Sequence, residues 1–139
     1  MISGLWHEDS LVRMRAADAA EKVTRTIPAL LAPHKKELLG LLAETQEAEL
    51  RWHLAVMVPR LSLTARERQI AASLLMHYLQ DRSSIAKTFA LQGLADLAKV
   101  DPGIRLNVME LLHEAIRNGT PAMKARSRKL IKKLEIELS

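Results

Sequence analysis

The densest group of side chains able to do chemistry is Arg51-Trp52-His53. With Leu50, Leu54 and Met57 facing a core, Trp52 lies about 200° around the helix from Leu50 at 100° per residue. It is expected to leave the core stripe, where an indole flanked by Arg and His can stack on a base or anchor a protein partner. The competing expectation is packing against an adjacent helix, since Trp is usually largely buried. A second group is a column of cations, Arg13, Arg51, Lys87 and Lys124, at one register of four related segments. Such a column can line a groove for an acidic peptide or phosphate, or it can staple successive units together. Arg13, Arg51, Trp52, His53, Lys87 and Lys124 are therefore the candidate partner-binding residues. The third group is the last helix, where Lys124, Arg126, Arg128, Lys129, Lys132 and Lys133 surround an apolar stripe. Its i,i+4 pairs Lys124–Arg128, Arg128–Lys132 and Lys129–Lys133 repel, and cations in the first turns oppose the helix dipole. Helix stability does not explain that layout. An anionic partner does, which makes Lys124, Arg128, Lys129 and Lys132 phosphate-binding candidates, and so does a solubilising cap on the last repeat.

Other chemistry is thinly represented. There is no cysteine, which excludes a disulfide, a thiolate metal site and a Cys nucleophile. His7, His34, His53, His77 and His113 lack metal-ligand spacing, and His77 and His113 read as surface or boundary residues. No Gly-rich phosphate loop and no Gly-x-Ser-x-Gly occurs. We expect no catalytic residue, metal or cofactor, and no enzyme activity. The formal charge is +5, but residues 1–119 carry +1 and residues 120–139 carry +4, so the body is nearly neutral. The first residues have no basic region followed by an apolar run, so no signal peptide is expected. The longest uncharged apolar stretch, 69–80, is far below the ~20 residues of a membrane span, and the expected location is the cytoplasm.

These groups must be held by helices. The hydrophobic share is 48% but the aromatic share only 3%, so the apolar residues are mostly Ala, Leu, Ile, Val and Met, which suit close helix packing. Four segments starting at Asp9, Glu47, Ser83 and Thr120 align without gaps, at spacings of 38, 36 and 37 residues. Each carries an apolar stripe at helical steps. The stripes run Val12, Ala16, Ala19, Ala20, Val23; Leu50, Leu54, Met57, Val58, Leu61; Ala86, Ala90, Gly93, Leu94, Leu97; and Met123, Ser127, Leu130, Ile131, Leu134. Ser127, the polar member, is expected to bond back to its own backbone. Three further helices are predicted over about 33–44, 64–80 and 102–117. Thr64 and Glu67 form a capping box, Asp101-Pro102 and Thr120-Pro121 place a cap before a first-turn proline, and Asn118-Gly119 reads as a C-cap. Pro28 and Pro33 predict an irregular connection after the first helix. Gly40 and Gly93 inside helices predict close helix approach. Residues 1–139 are expected to form one all-α domain.

The helix-turn-helix unit of about 37 residues resembles HEAT repeats of the armadillo type. Asp9-x-x-Val12-Arg13-x-x-Ala16-Ala17 carries the likeness most clearly, and Glu47-x-x-Leu50-Arg51 repeats part of it. The resemblance covers nearly the whole chain. It implies a right-handed α-α superhelix, a short solenoid of about four helical hairpins whose second helices line a concave surface. A plain bundle of six or seven helices is the alternative. HEAT-like proteins mostly bind proteins, and some bind nucleic acid. One branch removes alkylated bases from DNA and another is associated with bilin attachment, but neither branch's active residues match positions here. The expectation is a non-catalytic scaffold for a protein partner, with nucleic acid as the alternative through the basic last helix. A homodimer is compatible with so short an array.

Overall fold

Local signals set the helix ends. The Asp9 carboxylate accepts from Leu11 N–H, Ser83 Oγ from Ala86 N–H and Asp101 from Gly103 N–H. Thr64 and Glu67 close the capping box in both directions. The resulting computed structural model describes residues 1–138. It contains helices α1 (Ser10–Thr24), α2 (Lys35–Glu44), α3 (Ala48–Met57), α4 (Ala65–Tyr78), α5 (Ser84–Val100), α6 (Pro102–Asn118) and α7 (Pro121–Leu138). Short 3-10 segments occupy Ile2–Trp6, Pro28–His34 and Val58–Arg60, and no strand occurs among the described residues. The helix predicted from about 33 starts at Lys35, because Pro33 keeps the preceding turn in 3-10 form.

The apolar stripes dictate the packing. α1 packs on α3, α3 on α5 and α5 on α7, while α2 lies on α3 and α4, α4 on α5, and α6 on both α5 and α7. α5 is the hub and buries Ala86, Ala90, Gly93, Leu94 and Leu97 along the predicted stripe. The second stripe is buried at all five positions, and in the fourth only Met123 is partly exposed.

The first stripe differs. Val12 and Val23 are 36% and 38% exposed and Ala19 is exposed, while α1 buries Ala20 of the stripe together with Ala17, Glu21 and Thr24. It packs on α3 and on the short Ile2–Trp6 and Pro28–His34 segments, and part of its apolar surface stays in solvent. Ser127 also departs from expectation. It is fully buried, yet its Oγ has no hydrogen-bond partner.

The two helical glycines separate. A Cβ on Gly93 would overlap the Ala55 carbonyl oxygen, so α3 and α5 meet through it. Around Gly40 nothing lies within 4 Å of an added Cβ, which corrects the expectation of close approach there. Gly40→Ala is accordingly expected to stabilise the protein by about 0.5–1 kcal/mol, raising Tm by about 2–3 °C in a thermal melt.

Candidate functional site

The cation column divides. Arg13 Nε bonds Glu47 Oε1 at 2.6 Å, and its Nη1 reaches the carbonyls of His7 and Glu8. Arg51 Nη1 bonds Asp81 Oδ2 at 2.8 Å, its Nε bonds the Thr45 carbonyl, and its guanidinium sits 4.7 Å from the Tyr78 ring centroid. Both cations are staples between neighbouring helices, the second of the two expectations for the column, and neither guanidinium is left free. Lys35–Glu67 and Arg68–Asp101 repeat the device between other elements, each at 3.0 Å. Lys87 and Lys124 are half-buried and form no ion pair among the described residues. Arg128, Lys129 and Lys132 are exposed and likewise unpaired, so α7 keeps a basic outer surface.

His53 does not stand at the surface beside Trp52. It is 2% exposed, which removes it from direct contact with a partner. Its position on the wheel lies next to the core stripe, and α1 covers it: Nε2 lies 3.8 Å from Asp18 Oδ1. Nδ1 is 2.5 Å from the Glu49 carbonyl oxygen, so Nδ1 carries a proton and donates to it. Nε2 has no hydrogen-bond partner.

Trp52 is half-buried and occupies an intermediate position. Its ring stacks on His53 at 3.5 Å and approaches Phe89 of α5 at 4.9 Å, while Nε1 donates to Glu49 Oε2. Arg126 of α7 lies 5.3 Å from the Phe89 centroid and donates from Nη1 to Gln92 Oε1 at 3.0 Å. The Gln92 amide nitrogen donates in turn to Asp96 Oδ1 at 3.0 Å. An aromatic ridge and a fixed guanidinium thus span α3, α5 and α7. Arg126's other N–H groups meet no acceptor among the described residues, so a planar donor is left for a carboxylate or phosphate.

This ridge borders a groove of about 500 Å³ that runs from α1 past the Val58–Arg60 turn to α7. Glu21 sits at one end, 3% exposed. Arg25 bonds it from its own helix, and Arg60 Nη2 bonds it at 2.6 Å from the turn. The Arg25 hydrogen bond, joined by Arg60, brings its pKa down to about 2 against the opposing effect of burial. Arg60 Nη1 also donates to the Glu21 carbonyl and to Thr24 Oγ1, both at 2.8 Å. Asp96 lies further along. Burial pushes its pKa up, while the Gln92 hydrogen bond and the charges of Lys99, Lys133 and Arg60 pull it down.

The groove combines an apolar ridge, a pre-oriented Arg126 from α7 and the carboxylates of Glu21 and Asp96. It suits an extended segment with an apolar side chain and an acidic one. Phe89, Gln92, Asp96 and Arg126 were not among the predicted site residues. Phe89, Gln92, Asp96 and Lys99 follow helical steps on one face of α5, a signal the sequence carries. Glu21 and Arg60, 39 residues apart, leave none. Among the described residues no three acidic or His side chains are placed to hold a metal ion, and no helix is long and apolar enough to cross a membrane. No family model, curated protein or solved structure matches the chain.

Proposed function

We propose that the chain is a short HEAT-like solenoid, without catalytic activity, that binds a protein segment in the groove along α1, α3, α5 and α7. The observation that carries this reading is the Trp52–Phe89–Arg126 ridge, where two of the chain's four aromatic residues meet a guanidinium held by Gln92. An apolar side chain of the segment packs on the rings and a neighbouring carboxylate meets Arg126. Glu21 and Asp96 in the same groove disfavour a continuous phosphate backbone.

The test is selection of binding peptides from a random displayed library, followed by measured affinities. Selected sequences are expected to pair an aromatic or large aliphatic residue with Asp or Glu. Trp52→Ala, with its fold verified by circular dichroism, is expected to weaken them by about 2 kcal/mol, some thirtyfold. Peptides that lack acidic residues, or bind the variant equally well, would sink the reading.

A second reading, nucleic-acid binding, is supported by the unpaired cations Lys124, Arg128, Lys129 and Lys132 on α7. It predicts steeply salt-dependent binding of DNA or RNA that disappears in a Lys124/Arg128/Lys132 triple alanine variant. On duplex DNA log affinity would fall by roughly 0.9 per phosphate contacted for each tenfold rise in salt.

A further inference from the structure

The gaps between helices α1, α3, α5 and α7 each place a cation at the same register, and the third gap lacks the two groups that meet it in the second. Arg51 and Lys87 each stand four residues after the residue capping their helices, Glu47 and Ser83. In the gap between α3 and α5, Arg51 is met by Asp81, two residues before the next cap, and by the Tyr78 ring, five before it. In the first gap Glu47 supplies the carboxylate for Arg13, and buried Leu42 stands at the ring position. Between α5 and α7 the same positions hold Asn118 and Ala115. The carboxylate has become a neutral amide and the phenol ring a methyl group.

A cleft of about 300 Å³ opens there, lined by Lys87, Ala115, Asn118 and the apolar Leu91, Leu111 and Met123. That volume is at the lower end of small-molecule sites. Asp81 feels the charge of Lys87 at longer range, but no carboxylate among the described residues ion-pairs with it. Asp81 is held by Arg51 and by Ser83 N–H. Glu114, on the cleft wall, is held by Asn118 Nδ2 at 2.7 Å and Arg117 Nη2 at 2.8 Å. Lys87 forms no ion pair among the described residues.

We propose that this cleft binds a small aromatic carboxylate, an aryl ring on a short acidic arm, which restores the ring and the charge that Tyr78 and Asp81 supply in the preceding gap. The ring packs against Leu91, Leu111 and Met123 in the space above Ala115, and the carboxylate meets the Lys87 ammonium. Lysine, a point charge on a flexible stem, takes an anion in this place without the fixed fork that Arg51 offers Asp81. The site is separate from the groove at Trp52 and stands whatever binds there.

Amide chemical shifts of the full chain, titrated with phenylacetate and 4-hydroxyphenylacetate, test it. Saturable shifts centred on residues 87, 91, 115 and 123 are expected, with phenylacetamide binding about tenfold more weakly for want of the charge. Lys87→Met is expected to weaken phenylacetate by about tenfold or more, and Lys87→Arg to keep it. An Ala115→Tyr/Asn118→Asp double variant, which returns the protein's own ring and carboxylate, is expected to lose binding. The proposal is overturned by no saturable shift of either acid up to about 10 mM, by equal binding of acid and amide, or by wild-type affinity in Lys87→Met.

Discussion

Glu21→Gln is expected to destabilise the protein by on the order of 3 kcal/mol at neutral pH, lowering Tm by about 10 °C. Glu21 is 3% exposed and receives Arg25 from the C-cap of α1 and Arg60 from the Val58–Arg60 turn. The amide removes the charge that both guanidinium groups were arranged around, and Arg60 is left partly buried with only the Glu21 carbonyl and Thr24 as fixed partners. The pH dependence follows from the depressed pKa. Glu21 titrates at about 2 in the folded protein against a reference of 4.5, so the folded state favours the ionised form. The stabilisation is therefore complete above the unfolded pKa, declines as pH falls from about 4.5 toward about 2, and is absent below. Other carboxylates, Asp81 and Glu67 among them, also have lowered pKa values, so wild-type acid denaturation alone does not isolate Glu21. The informative quantity is the stability difference between wild type and Glu21→Gln from denaturant melts across that range. A difference that stays constant from about pH 6 down to about pH 2.5 would refute the assignment.

Gly93→Ala is the second large effect, expected to cost about 3 kcal/mol and again about 10 °C in Tm. Helix propensity alone would make the substitution favourable by about 1 kcal/mol. Space decides the sign. The new methyl group would overlap the Ala55 carbonyl oxygen and stand 3.0 Å from Leu75 Cδ1. A side chain can swing aside, but the backbone of α3 can yield only by moving away from α5 and loosening Leu54 and Leu94 with it. Together with Gly40→Ala this is a matched pair of the same substitution with opposite signs. A stabilised Gly93→Ala protein would mean that α3 and α5 are not in contact there.

Much of the fold was legible in the sequence because its signals are local. Thr64-Ala65-Arg66-Glu67 and Asp101-Pro102 mark helix starts by their own hydrogen bonding and ring geometry. The stripes from Leu50, Ala86 and Met123 mark buried faces by period alone. What failed was whatever depended on a neighbour. Val12, Ala19 and Val23 have the right spacing for a core, but a period does not say whether a helix exists to cover it. Trp52 lies where the helical wheel puts it, off the Leu50 stripe, yet what it meets there is Phe89 of the next helix. Arg13 and Arg51 were legible as a column, while the identity of their acids, Glu47 and Asp81, followed only from how the helices pack. The groove was harder still, since Glu21, Arg60, Gln92 and Arg126 come from four elements and share no motif.

The hub position of α5 bears on how the chain is made. Its partners lie on both sides of it in the sequence, α3 and α4 before, α6 and α7 after. Before α5 is made, the faces of α3 and α4 that pack on it lack that cover. Until it emerges, those apolar faces are among the surfaces that chaperones hold and that aggregate.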